Sequence, residues 1–228
     1  MNNIIDNALG QGRNILSEME SKQLVKEMGI QTTEMKLATS KDEAVKFSQE
    51  IGYPVVLKVA SFDISHKSDA GGVKVGLKNE AEVSRAYEDI LVSALKFNPK
   101  ASLQGVTVQN MVKPGVEVII GMTQDPQFGP VIMFGLGGVF VEILQDVSFK
   151  VVPLNRMDAN SMIKEIKGYR LLQGYRGQKP VDTNYLENIL LKLSDFVDKY
   201  PSIKEMDLNP IFAYSDGACV VDARVVIK

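Results

Sequence analysis

The sequence predicts an α+β fold of two lobes, because its first half alternates helices with strands and its second half consists mostly of strands. Of its 228 residues, 45% are hydrophobic and 24% are charged, as in an ordinary globular chain long enough to bury a sizeable core. The short connections between the later strands favour antiparallel pairing over a doubly wound parallel sheet. We place the division near residue 112, giving predicted lobes of 1–111 and 112–228.

The first half is predicted to alternate helices and strands. Ser40 and Glu43 form a capping-box pattern, in which each side chain bonds a backbone amide at the helix start. Pro54 follows the predicted end of that helix, since proline is excluded from helix interiors. The predicted elements are a helix at 14–29, a strand at 33–39, a helix from the capping box to about 51, a strand at 55–60, a polar loop at 61–72, a strand at 73–77 and a helix at 80–97.

The second half is predicted to end in a hairpin. Asp216-Gly217 stands between two strand-like runs and is typical of a two-residue turn. The predicted elements are strands at 105–112, 116–125, 129–136, 139–144 and 147–154, helices at about 158–167 and 183–199, and the hairpin strands at 203–214 and 219–227.

Composition and charge do not favour several classes of function. The net charge of −2 and the pI near 5.6 do not predict a nucleic-acid or membrane-surface partner. The single cysteine, Cys219, cannot form an internal disulfide, so a reduced cytoplasmic location is the simplest expectation. The start of the chain lacks a signal-peptide pattern, and the longest apolar run, 131–141, is too short to span a bilayer.

Common nucleotide and nucleophile motifs are absent from the sequence. It contains no GxxxxGK[ST] phosphate loop and no GxGxxG that follows a strand and opens a helix. It also contains no GxSxG nucleophile elbow. The chemistry must therefore come from less common arrangements.

Two features of the sequence suggest phosphate binding, and each has a plain structural alternative. Lys58 interrupts an apolar strand, so its ammonium either meets a phosphate or points to a solvent face of the sheet. The run GLGGVFVE at 135–142 places three glycines where backbone amides could approach an anion, or where two strands simply turn. Glu142 beyond it is either a metal ligand or an edge charge.

The terminal hairpin gathers polar side chains on one face. With an Asp216-Gly217 turn, Asn209 faces Arg224 and Asp207 faces Val226. Strand alternation then puts Asp222 on the same face as Asp207, Asn209 and Arg224. Oxygen ligands beside an arginine suit Mg²⁺ bridging phosphates, while the structural alternative is a solvated face with a cross-strand ion pair.

His66 is the only histidine and lies in the polar loop 61–72. It is either an incidental surface residue or a nucleophile, because neutral imidazole can attack a phosphoryl group and carry it. Gly71-Gly72 would give the loop a hinge, and Lys67 could balance the added charge.

Three long segments, 52–77, 108–154 and 205–227, together resemble the ATP-grasp family. More closely, the chain resembles the β subunits of ADP-forming acyl-CoA synthetases (acetate–CoA ligase, ADP-forming), and the resemblance covers nearly its whole length. It is more distantly similar to succinyl-CoA synthetase β subunits, notably at DLNPI and Asp222. The resemblance implies two lobes whose antiparallel sheets clamp ATP.

The resemblance implies the reversible reaction of acyl-CoA, ADP and phosphate to acid, CoA and ATP. It also implies a CoA-binding α subunit that carries its own phosphohistidine, with an α2β2 assembly. His66 would then receive the phosphoryl group from that histidine and pass it to ADP. Two alternatives are a nucleotide-sensing regulatory domain and a grasp ligase of another substrate, such as succinyl-CoA synthetase; the His66 loop argues against the second.

The resemblance also implies roles for individual residues. Lys58 contacts the ATP phosphates, and Arg224 stabilises charge on the transferred phosphoryl group. The implied nucleotide contacts are Gln109, Asn110, Met111 and Val112 along the adenine, Glu117 near the ribose or phosphates, and Gly135, Gly137 and Gly138 near the phosphates. The implied Mg²⁺ ligands are Asn209 and Asp222, with Asp207 or Glu142 as helpers. The family tends to place glutamate at Asn110, whose amide oxygen could still accept from the adenine amine.

Overall fold

The computed structural model describes residues 2–64, 66–138, 145–175, 177 and 179–227. In chain order, the first-half elements are α1 Asn2–Gly10, α2 Glu18–Glu27, β1 Met35–Ala38, α3 Lys41–Ile51, β2 Val55–Ala60, β3 Val73–Leu77, α4 Glu80–Phe97 and β4 Gly105–Asn110. The second-half elements are β5 Val116–Asp125, β6 Gly129–Leu136, β7 Val147–Val151, α5 Arg156–Glu165, α6 Tyr169–Leu172, α7 Thr183–Lys199, β8 Ile203–Tyr214, β9 Gly217–Val220 and β10 Ala223–Ile227.

The chain divides into a small unit of residues 33–113 and a large unit of residues 1–32 with 114–228. The predicted lobes, 1–111 and 112–228, differ from this division at the N terminus. Residues 1–32 belong with the large unit because apolar side chains of α1 and α2, such as Ile5 and Leu24, pack into its core.

The small unit is a four-stranded antiparallel sheet in the order β1-β4-β2-β3. Helices α3 and α4 pack against one face, where Leu57 and Val59 of β2 meet Ile90 of α4 in a shared core. Because strand side chains alternate, Lys58 and Thr107 lie on the opposite face. The sheet face opposite the apolar core therefore carries buried polar residues.

The large unit is built on a six-stranded sheet in the order β10-β8-β5-β6-β7, with β9 also paired to β8. Ile120, Phe134 and Leu208 point to the core face, which α5 and α7 cover. The opposite face carries Glu117 and Gly121 of β5, together with Asp207 of β8. Asp207 and its partner Arg224 on β10 therefore lie on the face away from the core.

Several predicted boundaries differ from the structure for local reasons. The helix predicted at 14–29 begins at 18, because Ser17 and Glu20 form a reciprocal capping box. Helix α1 was not predicted, and the strand predicted at 219–227 is two strands, β9 and β10. The strand predicted at 139–144 lies outside the described residues. None of the described helices is long and apolar enough to cross a bilayer.

Candidate nucleotide and phosphoryl-transfer site

The predicted site residues fall on both units. Lys58, His66 and the segment 109–112 lie in the small unit. Glu117, the three glycines of the 135–138 run and the four polar hairpin residues lie in the large unit. Each unit therefore carries its own part of the predicted chemistry.

Lys58 is a buried lysine in the middle of the small-unit sheet. It pairs with Val73 of β3 and with Thr107 of β4, whose hydroxyl donates to the Lys58 carbonyl at 3.3 Å. Its side chain is only 5% exposed, so the alternative of an open solvent-facing lysine is wrong. An ammonium is expensive to desolvate, so this position needs polar or anionic groups beside it.

The segment 109–112 is fixed by side-chain bonds to the chain just before β1. The buried Gln109 accepts a bond from the Thr33 hydroxyl at 3.0 Å through Oε1. Asn110 accepts from the Glu34 backbone N–H at 2.8 Å through Oδ1. One lone pair of that amide oxygen is thus used locally, and the second is left for another donor. Thr33 and Glu34 were not predicted as site residues, since their contacts join positions 76 residues apart.

His66 is exposed on the histidine segment, which we define as residues 61–72. Two buried residues, Ile64 and Ala70, join the small-unit core on either side of it. The Asp63 carboxylate accepts from the Ser102 backbone N–H at 2.7 Å. The chain is therefore anchored on both sides of the imidazole. The anchoring contact of Asp63 was not predicted.

Gly71 and Gly72 are closely packed in the second stem. Gly72 donates to the Lys67 carbonyl at 2.8 Å, and a Cβ at Gly72 would lie 2.6 Å from Cγ1 of Val59. Gly71 has a φ of +63°, and a Cβ there would lie 3.1 Å from Cβ of Ser93. In this conformation the two glycines allow close packing. The sequence predicted them only as a hinge and did not predict this packing.

The glycine run packs against Glu117. The Gly137 N–H donates to the Glu117 carbonyl at 2.8 Å, and a Cβ at Gly137 would lie 3.1 Å from Cβ of Glu117. Gly138 has a φ of +63°, and a Cβ there would lie 3.0 Å from Glu117 Oε2. A Cβ at Gly135 would lie 2.8 Å from Cγ1 of Val147. Glu142, the helper proposed from the sequence, lies outside the described residues.

The hairpin turn is Ser215–Asp216 rather than Asp216–Gly217, because Gly217 pairs with Tyr214 as the first residue of β9. Gly217 is buried, and the Tyr185 ring is the nearest group to the position of its missing Cβ, at 3.7 Å. With Gly217 in the strand, the partners of residues 205–208 and 211–214 shift by two positions.

The predicted pairings of Asn209 with Arg224 and of Asp207 with Val226 are therefore wrong. Arg224 lies opposite Asp207, and the Asn209 N–H donates to the Asp222 carbonyl at 3.2 Å. A slip of two residues preserves the face to which each side chain points. A bulge in β8 at residues 209–210 separates the pairing of Leu208 with β5 from that of Ile211.

Asp207 is the most perturbed acid of the described residues. Its Oδ1 is buried without a hydrogen-bond partner among those residues. Burial, followed by the negative charges of Asp222 and Glu205, raises the pKa of Asp207 to about 6, although Arg224 partly opposes the rise. An orphaned, desolvated carboxylate oxygen of this kind is suited to a cation.

Arg224 has a local partner that sequence reasoning missed. Its Nη1 lies 3.6 Å from Oε2 of Glu205, with both side chains about half exposed. Glu205 precedes Asp207 by two residues on the same strand, so alternation alone would have placed it on this face. An exposed ion pair of this kind contributes little stability, so the guanidinium can exchange partners at low cost.

The donor set fits Mg²⁺ with a nucleotide better than a metal held by protein alone. Among the described residues, no group of three or more His, Cys, Asp or Glu side chains could hold a metal ion. Mg²⁺ usually takes one or two carboxylates and completes its shell with waters and substrate phosphates. Asp207 offers the orphaned oxygen, the charge of Asp222 acts on it, and the Asn209 N–H donates to the Asp222 carbonyl.

A model of the ATP-grasp domain matches residues 7–227. The chain is 51% identical over 224 residues to the acetate–CoA ligase [ADP-forming] I subunit beta of Pyrococcus furiosus, covering 98% of this chain and 96% of that relative.

Two solved structures of the dinucleotide-forming acetyl-coenzyme A synthetase 1 of Ca. Korarchaeum cryptofilum are similar to the chain. The first, with coenzyme A and Ca-AMPCP, superposes with a TM-score of 0.97 at 49% identity. The second, with coenzyme A and Mg-AMPPCP, has its phosphohistidine segment pointing towards the nucleotide binding site, with a TM-score of 0.87 at 47% identity. Each comparison covers 100% of this chain and 99% of the other.

Proposed function

We propose, since the chain belongs to the ATP-grasp family and within it to the β subunits of ADP-forming acetate–CoA ligases, that it transfers a phosphoryl group between His66 and ADP. The overall reaction converts acyl-CoA, ADP and phosphate to acid, CoA and ATP. The observation that carries the proposal is His66 itself, an exposed imidazole held between two buried anchors. A similar enzyme turns its phosphohistidine segment towards its nucleotide site.

The transfer step balances with the residues named. In the ATP-forming direction, a terminal oxygen of the ADP β-phosphate attacks phosphorus, the P–N bond to His66 breaks, and the released imidazole nitrogen takes up a proton. In reverse, neutral imidazole attacks the γ-phosphorus and ADP leaves. The exposure of His66 supports both directions, since the ring must meet a substrate on each side of the transfer.

We assign phosphate contacts to Lys58 and Arg224. The buried ammonium of Lys58 would approach the nucleotide phosphates. A compact cation attracts phosphate charge more strongly at a buried position than in open water. Arg224 would leave its half-exposed contact with Glu205 to stabilise the charge spread over the transferred group. This assignment predicts that Arg224 acts on the rate rather than on folding.

We assign Mg²⁺ to Asn209, Asp222 and Asp207. The ion would neutralise phosphate charge when bound, and the ligand oxygens would orient it. The orphaned Oδ1 of Asp207 supports its inclusion, because a cation would satisfy an oxygen that otherwise lacks a partner among the described residues.

We assign the remaining nucleotide contacts to segments that are held in place by the local bonds described above. The backbone and side chains of Gln109–Val112 would follow the adenine, supported by the bond that holds Asn110 against the chain before β1. Glu117 would reach the ribose or phosphates, and Gly135, Gly137 and Gly138 would leave backbone room for phosphate.

We propose that the partner is a CoA-binding α subunit with a phosphohistidine of its own, in an α2β2 assembly in the cytoplasm. A relative that this chain covers almost end to end is named a β subunit, which supports a partner that carries the acyl chemistry. A relay through His66 then connects the two.

The test is to incubate the isolated protein with Mg²⁺ and ATP labelled at the γ-phosphate, and to measure acid-labile label. We expect label on the wild type and none on His66→Asn, because amide nitrogen cannot carry the phosphoryl group. Equal label on both proteins would overturn the relay. Binding of Mg·ATP without any label would favour the nucleotide-sensing alternative.

A further inference from the structure

Asp146 is a buried carboxylate that the assigned chemistry does not use. It is 6% exposed, and each of its carboxylate oxygens accepts one backbone N–H: Lys167 donates to Oδ1 and Gly168 donates to Oδ2, both at 2.6 Å. Bonds from a backbone N–H to a charged acceptor are stronger than those between neutral groups. They offset the cost of burying the carboxylate, and they tie the residue before β7 to the chain before α6.

The backbone at Asp146 is tightly turned. The Val147 N–H donates to the Gln145 carbonyl at 3.0 Å, so Asp146 is the central residue of a three-residue turn. Gln145 has a φ of +47°, the one positive φ of a non-glycine residue in the described part of the chain. A non-glycine residue keeps such a conformation only where the surrounding contacts hold it. The two N–H bonds to Asp146 are contacts of that kind.

This turn lies directly against the glycine run, residues 135–138. Gly135 pairs with the residue that follows Asp146, and a Cβ at Gly135 would lie 2.9 Å from the Asp146 carbonyl oxygen. A Cβ at Gly168 would lie 3.1 Å from Asp146 Oδ2 and would overlap Cδ1 of Leu136. Leu136 is the last residue of β6 and is fully buried. The first half of the glycine run is therefore packed against Asp146 and against one of its bond partners.

The second half of the glycine run is held by Glu117. The Glu117 carbonyl accepts the Gly137 N–H, and its carboxylate lies 3.0 Å from the position of a Cβ at Gly138. The run thus has two sets of contacts, one from a residue assigned to the nucleotide and one from Asp146. Backbone amides bind phosphate best when they are already fixed in position, because ordering them on binding reduces affinity.

We propose that Asp146 is a positioning residue for the nucleotide phosphates, an inference that rests on the proposed function. It does not touch the nucleotide, because its carboxylate is buried and engaged by Lys167 and Gly168. It acts through the glycine run, whose shape its backbone and its two bonds maintain. The alternative is that Asp146 serves stability alone, and the two roles differ in which part of the nucleotide they affect.

The test measures the Kd of Mg·ADP by calorimetry for Asp146→Asn, which keeps the shape of the side chain but replaces one acceptor oxygen with a donor. Ser194→Ala is the matched control, because Ser194 is fully buried in the same unit and its hydroxyl accepts the Leu154 N–H at 2.8 Å. We expect the Kd to rise roughly tenfold for Asp146→Asn, as for a misplaced binding group, and to stay near the wild-type value for Ser194→Ala.

Adenosine separates a positioning role from a purely structural one. It lacks phosphates, and the adenine is assigned to residues 109–112 in the small unit, so Asp146→Asn should leave the Kd of adenosine unchanged. In labelling by Mg·ATP, the half-saturating concentration should rise roughly tenfold for Asp146→Asn while the rate at saturation stays within about twofold, as for a loss of uniform binding.

Gly168→Ala is a second perturbation, which decides the question if Asp146→Asn does not fold. The φ of −78° at Gly168 suits alanine, so the effect comes from the methyl group pressing on Leu136. This variant should also raise the Kd of Mg·ADP and not that of adenosine. Unchanged Mg·ADP binding by both variants would overturn the proposal, as would an equal rise for Ser194→Ala or for adenosine. Absence of label on a wild type that binds Mg·ADP would instead count against the proposed function.

Discussion

Replacing Asp207 with asparagine should stabilise the metal-free protein at neutral pH. The folded state holds the pKa of this carboxyl at about 6, against an ordinary value of 3.8, because burial and neighbouring acids disfavour its charge. Above about pH 6 the folded protein therefore carries a carboxylate that would be more stable in water. Asparagine keeps nearly the same shape and removes the charge.

The sign and size of the effect follow from proton linkage. The folded pKa is raised, so the folded state binds more protons between about pH 4 and pH 6, and the free energy of unfolding falls as pH rises through that window. A rise of about two pH units corresponds to about 3 kcal/mol. Because Asp207 is only partly buried, solvent screening reduces this figure, and we expect a gain of about 1–3 kcal/mol for Asp207→Asn at pH 7.

The assay is thermal unfolding in the presence of a chelator at several pH values. The melting temperature of Asp207→Asn should exceed that of the wild type by several degrees at pH 7, and the difference should close towards pH 4. Asp216→Asn, in the exposed β8–β9 turn, is the matched control and should show no such trend. A difference that is independent of pH, or a less stable variant at pH 7, would refute the reasoning.

Three further predictions test the histidine segment and the arginine. Gly72→Ala should destabilise the protein by about 1–3 kcal/mol in thermal unfolding, because its methyl group overlaps the β2 core; an unchanged melting temperature would contradict this. Ile64→Ala should speed tryptic cleavage after Lys67 more than Ile90→Ala does, although both changes remove buried atoms from the same core; equal rates would exclude an anchoring role for Ile64. Arg224→Gln should slow phosphoryl transfer by about 10²-fold or more with little change in Mg·ATP affinity, measured by rapid quench; a loss of affinity alone would place the residue in binding.

The face of Asp207 and Arg224 could be predicted from the sequence, but their partners could not. Alternation decides the face within a regular stretch and survives a slip of two residues, whereas the bulge at 209–210 changes it, so that Leu208 and Ile211 both lie in the core. The partner depends on which two residues form the turn. Ser215–Asp216 and Asp216–Gly217 are both made of residues that are common in turns. The structure has the Ser215–Asp216 turn, and Gly217 is buried beside Tyr185 of α7, a contact that the hairpin sequence does not signal.

The chemistry of the site was predictable only as residue types. The sequence placed a lysine in an apolar strand, but burial by the folded chain makes Lys58 unusual. The raised pKa of Asp207 likewise needs the desolvation that the sheet provides, together with charges on two other positions. Contacts such as Thr33 with Gln109 join distant positions, and no local periodicity signals them.

The anchors of the histidine segment limit how a relay can work. His66 is two residues from Ile64, so with Ile64 in the core the His66 backbone stays within about 7 Å of it, the span of two extended residues. Transfer between sites further apart than this arm allows requires Ile64 to leave the core, at a cost of about 1.5–3 kcal/mol for exposing a large aliphatic side chain. A docked partner can meet that cost by shortening the distance or by stabilising the released segment. The relay and binding of the α subunit are therefore coupled, and loosening Ile64 should affect transfer to the α subunit more than labelling by Mg·ATP.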